Sequence, residues 1–317
     1  MTILFMEPIG KAWSRMKVAL FRPFDLHKWF VIGFNAFLAG LMNATNGSGG
    51  ARGQNDADFG EFIHFPRTAW EWLTSHPGWA IAILFAVLVV IAVIVALTWV
   101  SSRGVFMFLE SVVRDRIEIA KPWREYRKEG DSLFVWRLAF GLVTFAVFGA
   151  LAAWFFIQGG AIYDRGFDGA VPVLLIIGLA LLVLAIVLVI GYTILFLQDF
   201  VAALMYKHRI SAVAAWRLFL GLFRQHPFHF LAYGIVVFLL MLAFAAAVIV
   251  AGLVTCCIGF IVMIIPYIGT VATLPAWYTY RAFSLEFLAQ FGPEYDVFRR
   301  QDTAPEPAPV VPAAPTV

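Results

Sequence analysis

Three acidic residues recur where a long apolar segment gives way to an aromatic patch. They are Glu110 after Phe106-Met-Phe-Leu, Asp199 after Phe196-Leu-Gln, and Glu286 after Phe283-Ser-Leu. Their separations, 89 and 87 residues, are nearly one constant period. Carboxylates near a bilayer either salt-bridge a neighbouring Lys or Arg or form a functional ring in an ion or solute path. The first role is the ordinary one, and the regular spacing is better evidence of duplication than of chemistry. Two prolines, Pro266 and Pro275, mark the most distinctive local sequence, Ile265-Pro-Tyr-Ile-Gly-Thr-Val-Ala-Thr-Leu-Pro275. Each removes an amide that would bond four residues back, which frees the carbonyls of Val262 and Val271 and predicts a kinked helix. A freed carbonyl inside lipid needs a partner, which Thr270, Thr273 or a neighbouring helix could supply.

Other reactive patterns are thin. His226 and His229 are one helical turn apart, with His208 upstream, yet no Cys or acid lies beside them to complete a metal site. Cys256 and Cys257 are adjacent, a spacing that disfavours a disulfide and suits two small apolar fillers. Zinc-protease, phosphate-loop and nucleophile-elbow motifs are absent, so no enzyme activity and no cofactor is expected. The basic stretch from Arg114 to Lys128 is interleaved with Asp115, Glu118 and Glu125, which fits anionic lipid better than nucleic acid.

The elements that would position these residues follow from composition. The chain has 317 residues, 62% hydrophobic and 14% charged, too few charges for a water-facing surface. No Asp, Glu, Lys or Arg occurs in 78–102, 171–198 or 230–280, and about 20 apolar residues cross a bilayer. Six spans are predicted, at 29–42, 79–100, 138–157, 171–198, 230–251 and 260–280. The fold class is an all-α polytopic membrane bundle. The first 28 residues are too charged for a cleavable signal peptide, so the N-terminus is expected to remain. With six spans, 20 of the 23 Lys and Arg residues fall on one side, leaving Arg52, Arg67 and Arg165 on the other. That asymmetry predicts a multi-pass inner (plasma) membrane protein with both termini in the cytoplasm.

Between the spans the sequence repeats itself. Residues 8–21 place Ile9, Ala12, Trp13, Met16 and Leu20 on one helical face with Lys11 and Arg15 opposite, the pattern of an interfacial helix. A comparable element at 210–223 also ends in Leu-Phe-Arg before a Pro-Phe, and 121–134 is a looser, more charged version. Three units of interfacial helix plus helical hairpin are expected, at about 7–116, 117–207 and 208–298, within one transmembrane domain of residues 1–300. Residues 43–77 read as an extracytoplasmic loop, with Trp70 and Trp72 on a short headgroup-level helix. Residues 302–317 read as a Pro/Ala-rich cytoplasmic tail.

Several of these stretches carry a resemblance. Pro8-Ile-Gly-Lys-Ala-Trp13, Leu20-Phe-Arg-Pro-Phe24, Ala215-Trp-Arg-Leu-Phe219, Cys257-Ile-Gly259, Ile265-Pro-Tyr-Ile-Gly269, Leu274-Pro275, Arg281-Ala-Phe-Ser-Leu285 and Gln290-Phe-Gly-Pro-Glu-Tyr295 resemble a family of uncharacterised bacterial six-helix integral membrane proteins. More distantly, the chain is similar to the membrane domain of glycerophosphodiester phosphodiesterases. Their hydrolytic activity belongs to a separate soluble barrel that no part of this sequence fits, so the resemblance implies no catalysis here. The expected function is a non-catalytic assembly or lipid-organising component whose partners are membrane lipids, anionic on the cytoplasmic face. The alternative is a small-solute transporter or channel using the repeated acids and a kinked sixth helix.

Overall fold

An uncharged segment in hydrocarbon can satisfy its own amides only as a helix or within a closed barrel. The computed structural model takes the first course, and no strand occurs among its described residues. Those residues are 4–44, 59–163, 170–255, 259, 263 and 265–298. In chain order the helices are α1 Met6–Phe21, α2 Leu26–Ala44, α3 Phe59–Ser75, α4 Pro77–Arg114, α5 Ala120–Glu125, α6 Arg127–Tyr163 and α7 Ala170–Phe196. A π-helical turn, Leu197–Val201, joins α7 to α8 Ala202–His208. Then come α9 Ala212–Gln225, α10 Pro227–Val254, α11 Pro266–Ala272 and α12 Leu274–Ala289.

Four stretches are long and apolar enough to cross a membrane: Pro77–Arg114, Arg127–Gly159, Leu174–His208 and Pro227–Val254. The chain is therefore a helical protein with the composition and helix lengths of a membrane protein. The first expected span lies in α2, whose apolar stretch Leu26–Leu41 is shorter than these four. The sixth is divided at Thr273 into α11 and α12, and residues 260–262 and 264 within it lie outside the described residues. So do the Cys256-Cys257 pair, the first part of the outer loop (45–58) and the tail at 302–317.

Helix α4 states the architecture in one element. Its 38 residues make about 57 Å at 1.5 Å per residue, nearly twice the roughly 30 Å of bilayer hydrocarbon. Every residue from 81 to 94 is exposed, on all sides of the helix, whereas every residue from 101 to 112 is buried. An apolar helix bare all round is stable only with hydrocarbon as its solvent. The buried end joins a base packed with aromatic rings. There Phe200, Phe219, Phe230, Tyr233, Phe283 and Phe287 are fully buried, and the ring of Phe200 contacts those of Phe219, Phe230, Tyr233 and Phe287 at 4.8 to 6.0 Å.

Helix α5 packs on α4, α9 on the π-turn and α8, and α1 on α12. Helix α6 packs on α4, and α2 on α11 and α12. Helices α4 and α8 each stop at a residue in the left-handed region, Asp115 at φ 53° and Arg209 at φ 55°, and the turn after α12 holds Gly292 at φ 142°. Close approach is clearest between α2 and α4, where a Cβ on Gly104 would lie 2.7 Å from the backbone carbon of Leu38.

Local features depart from expectation in three places. The second interfacial element, expected over 121–134, is divided between α5 and the start of α6. Tyr126 turns out of α5, and the chain restarts at Arg127 as the long α6. The Trp70–Trp72 segment belongs to a longer helix, α3, that accommodates Pro66. Pro266 opens α11 and Pro275 lies in the first turn of α12, positions where the missing amide has no intrahelical partner to lose.

Candidate functional site

The base holds all three repeated acids, and all three are buried. Glu110 is 1% exposed and Asp199 is 0% exposed. A carboxylate so enclosed needs donors, and in the first two acids one oxygen takes two phenols while the other faces arginine.

On Glu110, Oε2 accepts the phenols of Tyr126 at 2.8 Å and Tyr206 at 2.5 Å. Its Oε1 faces Arg116 at 3.3 Å and Arg114 at 3.4 Å. The two tyrosine rings stack 5.1 Å apart, and the Arg209 guanidinium lies 3.8 Å from the centre of the Tyr126 ring. Burial pushes the Tyr126 phenol above its ordinary 10.0, and the hydrogen bond to Glu110 adds to the rise, so the group remains a donor. Tyr126 is available because α5 ends one residue before it.

On Asp199, Oδ2 accepts Tyr233 at 2.9 Å and Tyr280 at 2.5 Å. Its Oδ1 faces Arg281, with Nη1 3.6 Å away, beyond hydrogen-bond reach. Arg281 instead donates through Nη1 to the backbone carbonyl of Gln198. Asp199 and Gln198 both lie in the π-turn, a widened helical turn of the kind found at functional positions. Asp199 Oδ1 and Arg281 Nε are buried without a hydrogen-bond partner.

Glu286 departs from the scheme. Its Oε1 accepts Arg15 Nε at 2.5 Å, and the Arg15 guanidinium also stacks 3.8 Å from the centre of the Phe298 ring. Arg15 is half-exposed while Glu286 is largely buried. Gln290 and the backbone of Leu4 exchange two hydrogen bonds of 2.9 Å nearby. The third acid thus ties the start of the described chain to its last helix.

The three acids do not share one chamber. Asp199 lines a cavity of about 450 Å³ together with Gln198, Tyr280, Arg281, Thr270 and Thr273, against apolar walls from Ala36, Phe37, Gly40, Val105, Phe108 and Met263. Glu286 borders a separate shallow surface pocket beside Lys11, Ser14 and Arg15, and Glu110 lines neither of these. Gly269, Thr270 and Thr273, between Pro266 and Pro275 in sequence, and Trp277 beyond them supply part of the first cavity's wall. Trp277 donates to Thr273 Oγ1 at 3.2 Å, and Thr273 donates to the carbonyl of Gly269 at 2.8 Å. A second guanidinium, that of Arg137 on α6, is half-buried. Its hydrogen-bond partners among the described residues are the hydroxyls of Ser101 and Ser102 at 3.3 and 3.4 Å.

Among the described residues no group of three His, Cys, Asp or Glu could hold a metal ion. Both phenol-bound carboxylate oxygens are saturated, so neither presents a nucleophile or a free base there. The residues that sequence reasoning missed are Tyr126, Tyr206, Tyr233, Tyr280 and Arg281. Their one signal was position, since Tyr206 follows Asp199 by seven residues and Tyr280 precedes Glu286 by six.

A family model described as a family of unknown function (DUF7544) matches residues 5–296, and the chain belongs to that family. No curated protein and no solved structure matches it.

Proposed function

We propose that this chain is a non-catalytic, lipid-organising component of the cytoplasmic membrane, crossing it six times with both ends inside. We read it as three units, each an interfacial helix and a hairpin. The cyclic order of packing, with α5 on α4, α9 on α8 and α1 on α12, supports that reading, as do the left-handed stops after α4 and α8. Each repeated acid then ties its own unit to the next. Glu110 takes Tyr206 from the second, Asp199 takes Tyr280 from the third, and Glu286 takes Arg15 from the first.

The observation that carries the functional reading is the change of environment along α4, bare on every side at 81–94 and buried on every side at 101–112. A rigid base that holds apolar helices apart leaves lipid as the filling between them. Exposed Lys11, Lys17 and Arg22 on and beside α1 favour anionic head groups on the same side. Mass spectrometry of lipids retained by the purified protein tests this. Enrichment of anionic lipid over a control membrane protein supports it, and equal composition refutes it.

A second reading, a small-solute transporter, draws on the Asp199–Arg281 pair lining a cavity. It requires flux into proteoliposomes that Asp199→Asn abolishes.

A further inference from the structure

A second cavity, of about 260 Å³, lies between α1, α10 and α12. Its wall includes Ile9 and Trp13 on α1, Leu240 and Met241 on α10, and Tyr280 and Phe283 on α12, and no charged residue lines it. Trp13 is 48% exposed and Met241 39% exposed, whereas Phe283 is 1% exposed. The space therefore runs from the surface of the molecule into its packed base. Trp277 and Tyr280 also line the cavity beside Asp199, so they stand as a partition between the two.

The polar groups that α12 brings to this space are spent elsewhere. The hydroxyl of Thr279 donates to the carbonyl of Pro275 at 2.7 Å, the phenol of Tyr280 to Asp199 at 2.5 Å, and the indole of Trp277 to Thr273 at 3.2 Å. An ordered water needs two to four polar partners, and an apolar cavity of about 150 Å³ stays dry and accepts a hydrocarbon guest. This one is larger, and left empty it would forfeit dispersion contacts along three helices.

What lies outside it identifies the guest. Leu239, Leu242 and Ala243, beside Met241, are exposed, in the stretch Pro227–Val254 that is long and apolar enough to cross a membrane. The cavity is thus continuous with a surface whose solvent is hydrocarbon, and a guest entering past Met241 meets the same polarity inside as outside. We propose that one acyl chain of a membrane phospholipid occupies this cavity. The chain completes the contact of α1 with α10 and α12, and it packs against Tyr280, whose phenol holds Asp199. The proposal rests on the lipid-organising reading for its surroundings and gives one chain a place.

The test is photolabelling of the full chain in nanodiscs of phosphatidylcholine, with a phosphatidylcholine probe that carries a diazirine on its acyl chain, followed by peptide mapping. The bare stretch 81–94 of α4 reports contact with bulk lipid in the same sample. Wild type is expected to be labelled at Tyr280 and Phe283 as well as at 81–94. Ala276→Met adds bulk to the wall from α12 and excludes about two methylenes of the guest, so label at Tyr280 and Phe283 should fall about tenfold while that at 81–94 holds. Leu240→Trp fills the space from α10 and should do the same. Wild-type label confined to 81–94, or label at Phe283 unchanged in both variants, would overturn the site. The probe is zwitterionic, so neither result touches the anionic preference on which the lipid-organising reading stands. Equal lipid composition on the purified protein beside a labelled cavity would overturn that reading alone.

Discussion

Tyr206 reaches across 96 residues of sequence to donate its phenol to Glu110 at 2.5 Å. The bond fastens the end of the helix that follows the π-turn to the buried end of α4. Removing the hydroxyl leaves the carboxylate short of one donor in a closed space, a loss of about 1 to 3 kcal/mol. Tyr206→Phe is therefore expected to lower the thermal unfolding midpoint in detergent, and Tyr280→Phe to do the same through Asp199. An unchanged midpoint in both would mean the phenols are not holding the acids.

The acids themselves should rank by enclosure. Glu110→Ala leaves the phenols of Tyr126 and Tyr206 without their acceptor in the base, about 1 to 3 kcal/mol each, while the half-exposed Arg114 and Arg116 are screened by solvent. Glu286 pairs with an Arg15 whose side chain is 45% exposed, and solvent screening holds that loss to about 1 kcal/mol. Denaturant titration of Glu110→Ala and Glu286→Ala compares them directly. A larger loss at Glu286 would contradict the assigned roles.

Alkaline pH separates the Tyr126 contribution. Burial raises this phenol in the folded chain above 10.0, so the protonated form is favoured by folding. Its stabilisation is fully present below pH about 10 and declines as pH rises through the folded value. The stability gap between wild type and Tyr126→Phe should stay constant from neutral pH to about 10 and narrow above it. A gap that widens with pH would reverse the sign of the shift.

Two glycines should behave oppositely. At Gly104 an added Cβ runs into the backbone of Leu38 and Ala39 at 2.7 and 2.8 Å, so Gly104→Val must push α2 from α4, whereas a Cβ on Gly40 would meet nothing within 4 Å. Size-exclusion profiles should show loss of monodisperse protein for Gly104→Val and none for Gly40→Leu. Equal tolerance would deny that α2 and α4 meet backbone to backbone.

Much of this was legible in the sequence, in proportion to how local its cause was. Uncharged runs fix helices because hydrocarbon permits little else, and the Glu110, Asp199 and Glu286 spacing marked the positions that the fold encloses. What could not be read was where each acid finds its donors. Tyr126 becomes a donor only because α5 stops after Glu125, and Tyr233 and Tyr280 are two phenols among many aromatic residues. Asp199 lies in a π-turn that no residue pattern announces. Pairing across 81 to 96 residues depends on how helices pack, and helix periodicity carries no record of it.

Whether lipid is the functional partner is decided most directly by weighing what leaves the membrane with the protein. Wild type, purified in mild detergent beside an unrelated polytopic protein from the same membranes, should retain anionic lipid at a molar ratio clearly above that control. Retention indistinguishable from the control would contradict the account.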